Sequence, residues 1–326
     1  MALLIQRKDL RPLLSDIGFL GRVINAIEQV LSEHQRGEAL NYAYLHMPLS
    51  ERGHLSVLPA ISPTVGACLR ISPAFGGSST RQTDSRLIVL LDGKNGQLLA
   101  ILADNDLNVI RTGAPAGVAC RYLAPPNSKV VALLGSGRQA RGQLLAIQQA
   151  VPSLERVLVY SPTPEHREAF AEEMRSQLSL SVQAVTNPKH AVEGADIIDL
   201  ATSAGKPVLE AGWPSPGTLV ISIAPRQVPA ALALRGPLIV SSRTRMLEEK
   251  REPYASMAKA GQWSYDRMIE LGEVIVGRAR PRENQLDDVI LCELTGMPLW
   301  DAAIAKLAYS WALENKVGTT FHLSAE

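Results

Sequence analysis

The apolar positions of this chain change period along its length. Over residues 15–36, Ile17, Leu20, Val23, Ile24, Ile27, Val30 and Leu31 recur at three- and four-residue intervals, which places them on one face of a helix. Ser15 stands where an N-cap belongs, and Gly37 where a helix stops. From 54 to 102 the runs shorten to "HLSVLP", "RLIVLL" and "QLLAIL", divided by proline, glycine and the pair Asn95-Gly96. That pattern predicts antiparallel strands. The alanine-rich stretch "IRTGAPAGVACRYLA" has helical composition and runs into "PPNS", a boundary signal where a domain crossover is expected. Beyond it, short branched runs ("KVVALLG", "RVLVYS", "ADIIDLATS", "TLVISI", "PLIVSS") alternate with helical segments, the signature of βαβ units and a parallel sheet covered on both faces. Near the end, Asp301 precedes Ile304, Leu307, Ala308 and Trp311, again one helix face. The expected fold class is α/β: a mixed α/β unit followed by a parallel-sheet unit.

Composition narrows what such a fold would do. The 326 residues are 46% apolar and 20% charged, with a formal net charge of +1. No basic block invites a nucleic acid or an anionic membrane, so a small molecule is the expected partner. No run of about 18 apolar residues occurs, and the N-terminus "MALLIQRKDL" lacks the charge order of a signal peptide. Cys68, Cys120 and Cys292 are odd in number and far apart, which fits a reducing cytoplasm better than a disulfide or zinc framework. Histidines 34, 46, 54, 166, 190 and 322 show no HExxH spacing, so no metal site is expected.

One short stretch carries chemistry. "LLGSGRQA" matches G-x-G-x-x-A at Gly135, Gly137 and Ala140, between an apolar run and a helical stripe of Ala140, Leu144, Ile147 and Val151. In that context the pattern predicts a Rossmann-type dinucleotide site. Gly135 allows the turn, Gly137 lets a pyrophosphate approach the backbone, and Ala140 permits close helix–sheet packing. Ser136, Arg138 and Gln139 share this loop, whose free amides meet the anion. The second strand ends in Tyr160-Ser161-Pro162-Thr163, with no carboxylate for a ribose 2′-hydroxyl. Ser161 and Thr163 tolerate a 2′-phosphate that Arg138, His166 or Arg167 would neutralise, so NADP(H) is favoured over NAD(H); otherwise these residues simply start the next helix. Ser203-Ala204-Gly205-Lys206 fits S-x-x-K, but its place after a parallel strand sets acyl transfer aside.

Taken together, "VIRTGAPAGVACRYLA", "LLGSGRQARGQLLAI", "ADIIDLATS" and "LGEVIVGRARPRENQLDDVILCELTGMPLWDAAIAKLAY" resemble motifs of the ornithine cyclodeaminase/μ-crystallin family, in the same order. The resemblance implies a homodimer whose substrate-binding and dimerisation domain spans 1–112 and is completed by about 312–326, with a Rossmann domain over 113–311. It implies an amino or imino acid substrate whose α-carbon faces the nicotinamide. Arg111 and Thr112 match the family's pair for substrate carboxylate and cofactor phosphates. Thr83 falls on a pocket threonine, Thr202 and Ser203 on the loop bordering the cofactor, and Ile223 on the end of the strand "TLVISI". Asp301 is either a helix N-cap or a pocket group, and Trp300 either packs near the cofactor or in the core.

This chain also departs from the family pattern. The family's lysine position holds Cys68, with Arg70 two residues on and therefore on the same strand face. The aspartate position after "TLVISIA" holds Arg226. An arginine cannot accept the proton a cyclodeaminase aspartate takes. The expected function is therefore NAD(P)-dependent reduction of an imino acid, or oxidation of the matching amine, beside a carboxylate clamped by Arg111 with Arg70 as helper. The proton donor is unassigned, with water or a loop group such as His46 as candidates. Alternatives are a cyclodeaminase-like ammonia-lyase using bound NAD, and a non-catalytic NADPH-binding protein. Arg70, Arg111 and Arg226 holding a dicarboxylate is a further option.

Overall fold

Residues Met1–Arg111 with Met297–Glu326 form one unit, and Thr112–Gly296 form the other. The computed structural model describes residues 1–14, 16–51, 53–75, 86–283 and 288–323. The first unit opens with β1 (Ala2–Ile5), α1 (Arg7–Leu14) and α2 (Ile17–Gln35), then β2 (Leu40–Asn41), β3 (Leu45–Ser50), β4 (Gly53–Ser62), β5 (Gly66–Phe75), β6 (Leu87–Leu91) and β7 (Leu98–Ala103). Helix α3 (Leu107–Leu123) carries the chain onward to β8 (Val130–Leu134), α4 (Arg138–Ala150), β9 (Arg156–Tyr160), α5 (Pro164–Gln177), β10 (Ser181–Ala184) and α6 (Pro188–Val192). Next come β11 (Ile197–Leu200), β12 (Leu219–Ser222), α7 (Ala230–Ala233), β13 (Leu238–Val240), α8 (Arg243–Glu248), α9 (Tyr254–Lys259), β14 (Met268–Glu270), α10 (Leu271–Ile275) and β15 (Ile290–Glu293). The chain returns to the first unit as α11 (Pro298–Asn315) and β16 (Thr319–Phe321).

The first unit's sheet runs β16-β1-β7-β6-β5-β4-β2, with β3 also paired to β4. Its long hairpins are antiparallel, as the alternating runs predict, and Gly96 supplies the left-handed residue (φ 71°) of the β6–β7 turn. Strand β1 is an addition: "ALLI" pairs parallel to β7 and antiparallel to β16, a partnership too distant for local pattern to reveal. Helix α2 is capped by Asp16, whose carboxylate accepts from Gly18 N at 2.8 Å; Ser15, the expected cap, lies outside the described residues.

Register sets the sheet's two faces. Leu58, Arg70, Ile88 and Leu102 form one row across β4 to β7, and Ala60, Cys68, Leu90 and Ala100 the next. All eight are buried, beneath α11, which packs on β4, β5, β6 and α2. Each large aliphatic side chain there contributes about 1.5–3 kcal/mol. The opposite face is also apolar but open: Leu45, Met47, Leu49 and Ile61 are exposed, and Val57, Leu69 and Val89 half-buried.

Helix α11 corrects the expected domain bound. The resemblance implies a nucleotide domain running to 311, whereas the whole helix belongs to the first unit. More than its apolar stripe is covered: every residue from Pro298 to Ala305 is buried. Its alanines let it sit close against both sheet and helix, which a stripe of large residues does not reveal.

The second unit's sheet runs β10-β9-β8-β11-β12-β15-β13-β14, parallel throughout. Strands β11, β12, β13 and β15 are buried along their full length, which explains their unbroken apolar runs. From β8 the chain moves outward through β9 and β10, then returns to the other side of β8 at β11. In open parallel sheets, a reversal of this kind is where ligands bind, beyond the strands' carboxyl ends.

Candidate active site

The glycine loop lies at this reversal, between the ends of β8 and β11. Gly135 has φ +138°, and a Cβ there would stand 2.1 Å from the Ala201 carbonyl oxygen. Only glycine fits, for backbone packing as well as for the turn. Gly137, the N-cap of α4, is exposed, and a Cβ there meets no described atom within 4 Å. The two glycines therefore do different jobs: one closes the strand against its neighbour, and the other keeps the space before the helix amides open. Ala140 is fully buried, and Gly113 of α3 rests on the backbone of Gly142, a contact no motif announced. Ser136 Oγ donates to Ser161 Oγ at 2.9 Å, and Arg141 braces the loop through Ser136 O and Glu173.

Around the loop, the remaining nucleotide candidates divide. Arg167 is buried and donates to Ser161 O at 3.0 Å, so it shapes the end of β9 rather than facing outward. Arg138, His166 and Thr163 are exposed, Gln139 half-buried. Thr202 O accepts from Gln227 Nε2, and Thr202 Oγ1 accepts from Ala204 N, which fixes the loop after β11. Ser203 is exposed, while Ile223 and Thr112 are half-buried. The open backbone, the helix start and the hydroxyl-lined strand ends fit a dinucleotide diphosphate.

In the first unit, four charged side chains meet on the covered sheet face. Arg70 Nε donates to Asp104 Oδ2 at 2.7 Å, and its Nη2 reaches the same oxygen at 2.7 Å. Asp301 Oδ1 lies 2.9 Å from Arg111 Nε and 3.5 Å from Arg70 Nε. Arg70 and Arg111 are 6% and 8% exposed, and both aspartates 0%. Burial pushes the Asp301 carboxyl up; Arg111 and Arg70 pull it back only in part, and Asp104 adds to the push. Burial would lower Arg70, but Asp301 and Asp104 more than offset it.

The structure thus brings together three expected residues, Arg70, Arg111 and Asp301, and adds Asp104, which the sequence reading missed. An acid on the turn before α3 carried no signal until strand register put Arg70 above it. Asp301 is not an N-cap: Met297 takes that position, with Pro298 starting the helix. Trp300 is fully buried in the first unit's core. Thr83 lies outside the described residues. His46 and His54 are on strands β3 and β4, not on loops.

A family model for the ornithine cyclodeaminase/mu-crystallin family matches residues 15–316. The chain belongs to that family. A Δ1-pyrroline-2-carboxylate reductase of Bacillus cereus is 32% identical over 244 residues, covering 73% of this chain and 74% of its own. The ketimine reductase mu-crystallin of Rattus norvegicus is 31% identical over 270 residues, 80% of this chain and 82% of its own. A solved structure, the Thermococcus litoralis Δ1-pyrroline-2-carboxylate reductase in complex with NADH and L-proline, superposes with a TM-score of 0.85 at 30% identity, covering 98% of this chain and 100% of that one.

Within the family, this member's departures now have surroundings. Cys68, at the lysine position, is fully buried, and its thiol is pushed well up by burial and by Asp301 and Asp104, so it is neither a cation nor an acid near neutrality. Arg226, at the aspartate position, is exposed in a left-handed conformation (φ 68°), with its N–H donating to Glu252 O. Among the described residues no three His, Cys, Asp or Glu side chains group as metal ligands, and no helix is long and apolar enough to cross a membrane.

Proposed function

We propose that this chain is an NAD(P)-dependent oxidoreductase that reduces an imino acid to the amino acid, or runs the reverse oxidation, at the carbon beside the carboxylate. The observation that carries the reading is Arg111, a guanidinium held by Asp301 on the covered face of the first unit, in a family whose relatives are named as imino acid reductases. A guanidinium fork matches a carboxylate in shape and charge, with Arg70 as second cation. Its partner acids keep both side chains charged and oriented where a flexible lysine is missing. The Gly135–Ala140 loop, Ser161, Thr163, Thr202, Ser203, Ile223 and Thr112 would hold the dinucleotide, which when bound supplies or accepts the hydride. The protein's own residues place the carboxylate and limit water.

Two finer points belong to the same reading. Hydroxyls at the end of β9, with exposed Arg138 and His166 nearby in sequence, favour NADP(H) over NAD(H). The open apolar sheet face, with Leu45, Met47 and Leu49 in one row on β3, is the patch a second copy would cover, and a contiguous apolar face of that kind marks a contact surface.

The test is a set of Δ1-pyrroline-2-carboxylate and other cyclic and acyclic imino acids with NADPH or NADH, followed by nicotinamide absorbance. Turnover is expected, and Arg111→Ala should lower kcat/KM about 100-fold or more, the equivalent of a charged contact worth about 3 kcal/mol, with nucleotide affinity kept. Ammonia release from ornithine without net nicotinamide change would instead place the chain with the cyclodeaminases. Nucleotide binding with no turnover of any amine or imine would favour a binding protein.

A further inference from the structure

The covered face of the first unit's sheet continues past the charged cluster to an edge built of imidazoles. His46 is paired with Ser56 and Ser56 with Ser72, while His54 lies opposite Pro48 and Ala74. Side chains opposite one another share a face, and the face repeats every second residue. His46, His54 and Ser56 therefore share the face of Leu58 and Arg70. Ser72 is two residues from Arg70 on β5, about 7 Å along the strand. The His46 ring lies 5.9 Å from Tyr44 and 5.6 Å from His54, edge to face with the latter, and Tyr44 is within electrostatic reach of Arg70. A polar row thus leads from buried guanidiniums to solvent.

His46 is exposed, yet its ring is fixed: Nδ1 meets the hydroxyl of Ser56, which is buried, at 3.0 Å. A serine hydroxyl on Nδ1 settles which nitrogen is left for chemistry, and that nitrogen is Nε2. The other titratable or charged groups on this face are Tyr44, His54, Arg70 and Cys68, with Asp301 from α11, Arg111 and Asp104 at its buried end and Glu51 in the β3–β4 turn. The guanidiniums cannot release a proton, the two aspartates are sealed from water, and Cys68 is a buried thiol. Histidine is the side chain that exchanges protons near neutral pH, and His46 sits one register step closer to Arg70 than His54 does.

Resting on the imino-acid reading above, we propose that His46 is the proton donor to the substrate nitrogen, with Ser56 as its positioning residue. With the carboxylate on Arg111 and Arg70, the α-carbon would gain its C–H bond from the hydride that a bound reduced nicotinamide would supply. The π pair of C=N moves to nitrogen, which takes the proton from Nε2. The imidazole is left neutral with Nδ1–H on Ser56, and solvent reprotonates it at the exposed edge. Amine oxidation runs the same transfers backwards.

The experiment compares wild type, His46→Gln and Ser56→Ala with Δ1-pyrroline-2-carboxylate and NADPH across pH, alongside NMR of the histidine Cε1–H signals of cofactor-free protein titrated with L-proline. His46→Gln should lower kcat/KM about 100-fold and abolish the limb on which wild-type activity falls with rising pH. The substrate's own ionisation is common to both proteins, so the difference between profiles reads the residue. Ser56→Ala should displace that limb while retaining part of the rate, and L-proline should move the His46 signal. A wild-type profile in His46→Gln, or a His46 signal indifferent to L-proline, overturns the assignment while leaving imino acid reduction standing. No turnover by wild type overturns the broader function first, and this proposal with it.

Discussion

Asp301 and Asp199 are the same residue type, both have no solvent exposure, and burial pushes both carboxyls up, yet their neighbourhoods have opposite chemistry. Asp301 faces two guanidiniums delivered by β5 and α3. Asp199, on β11, lies in a cross-strand row with Leu133, Ile221 and Cys292. Among the described residues neither of its oxygens has a hydrogen-bond partner, and desolvation pushes it to about 8. An acid stripped of water without a cation keeps its proton and does no electrostatic work. An acid given two cations holds them in place, and removing a partner leaves a charge stranded.

The largest test of this contrast is Arg70→Leu. It strands Asp104, leaves Asp301 with Arg111 alone, and should cost about 3–5 kcal/mol of stability, read as a fall in the urea midpoint; an unchanged midpoint would show that the cluster holds nothing. Asp199→Asn should move stability the other way, by an amount that depends on pH. The folded protein keeps the Asp199 proton up to about 8, whereas the ordinary carboxyl value is 3.8. The contribution is therefore fully present below about pH 4 and is lost as pH rises towards 8, at up to about 1.4 kcal/mol per pH unit. The asparagine variant should lack that slope, and at pH 7 the titration cost it escapes is about 4 kcal/mol. Identical slopes in urea melts at several pH values would place the Asp199 proton elsewhere.

Smaller effects sharpen the distinction between structural and functional roles in the glycine loop. Gly135→Ala should cost about 1–3 kcal/mol, since φ and the Ala201 backbone both resist a Cβ. Gly137→Val should melt within about 0.5 kcal/mol of wild type but bind nucleotide more weakly, as titration calorimetry would reveal; undiminished affinity would mean that the diphosphate lies elsewhere. Ser161→Asp should shift the NADPH to NADH affinity ratio about tenfold towards NADH, the worth of roughly 1.4 kcal/mol, and an unmoved ratio would take the end of β9 out of cofactor selection.

Much of this arrangement was legible before the fold. The alternation around "KVVALLGSGRQA" is a local signal, so the parallel sheet, the loop and α4 appear where expected. Arg111 and Arg70 stood out as cations beside the departures at Cys68 and Arg226. Illegible were Asp104, the Gly113–Gly142 contact and the Ser56 support of His46. Each depends on a partner chosen by sheet register or helix docking, for which no spacing rule exists. The two readings of Asp301 could not be separated either, because a helix start moves by a few residues without disturbing an apolar stripe.

The amino-acid sequence by itself determined which segments become strands and helices, where the backbone is bare and which family the chain joins. Those properties follow from side-chain period and turn chemistry acting over a few residues. The tertiary structure decided the rest: that Asp104 and Asp301 hold the two arginines, that Asp199 is left with thiols and aliphatics, and that His46 rests on a buried serine. Charge acquires a role only when distant segments fix its distance to an opposite charge and remove the water between them, and no stretch of a few residues can set either quantity.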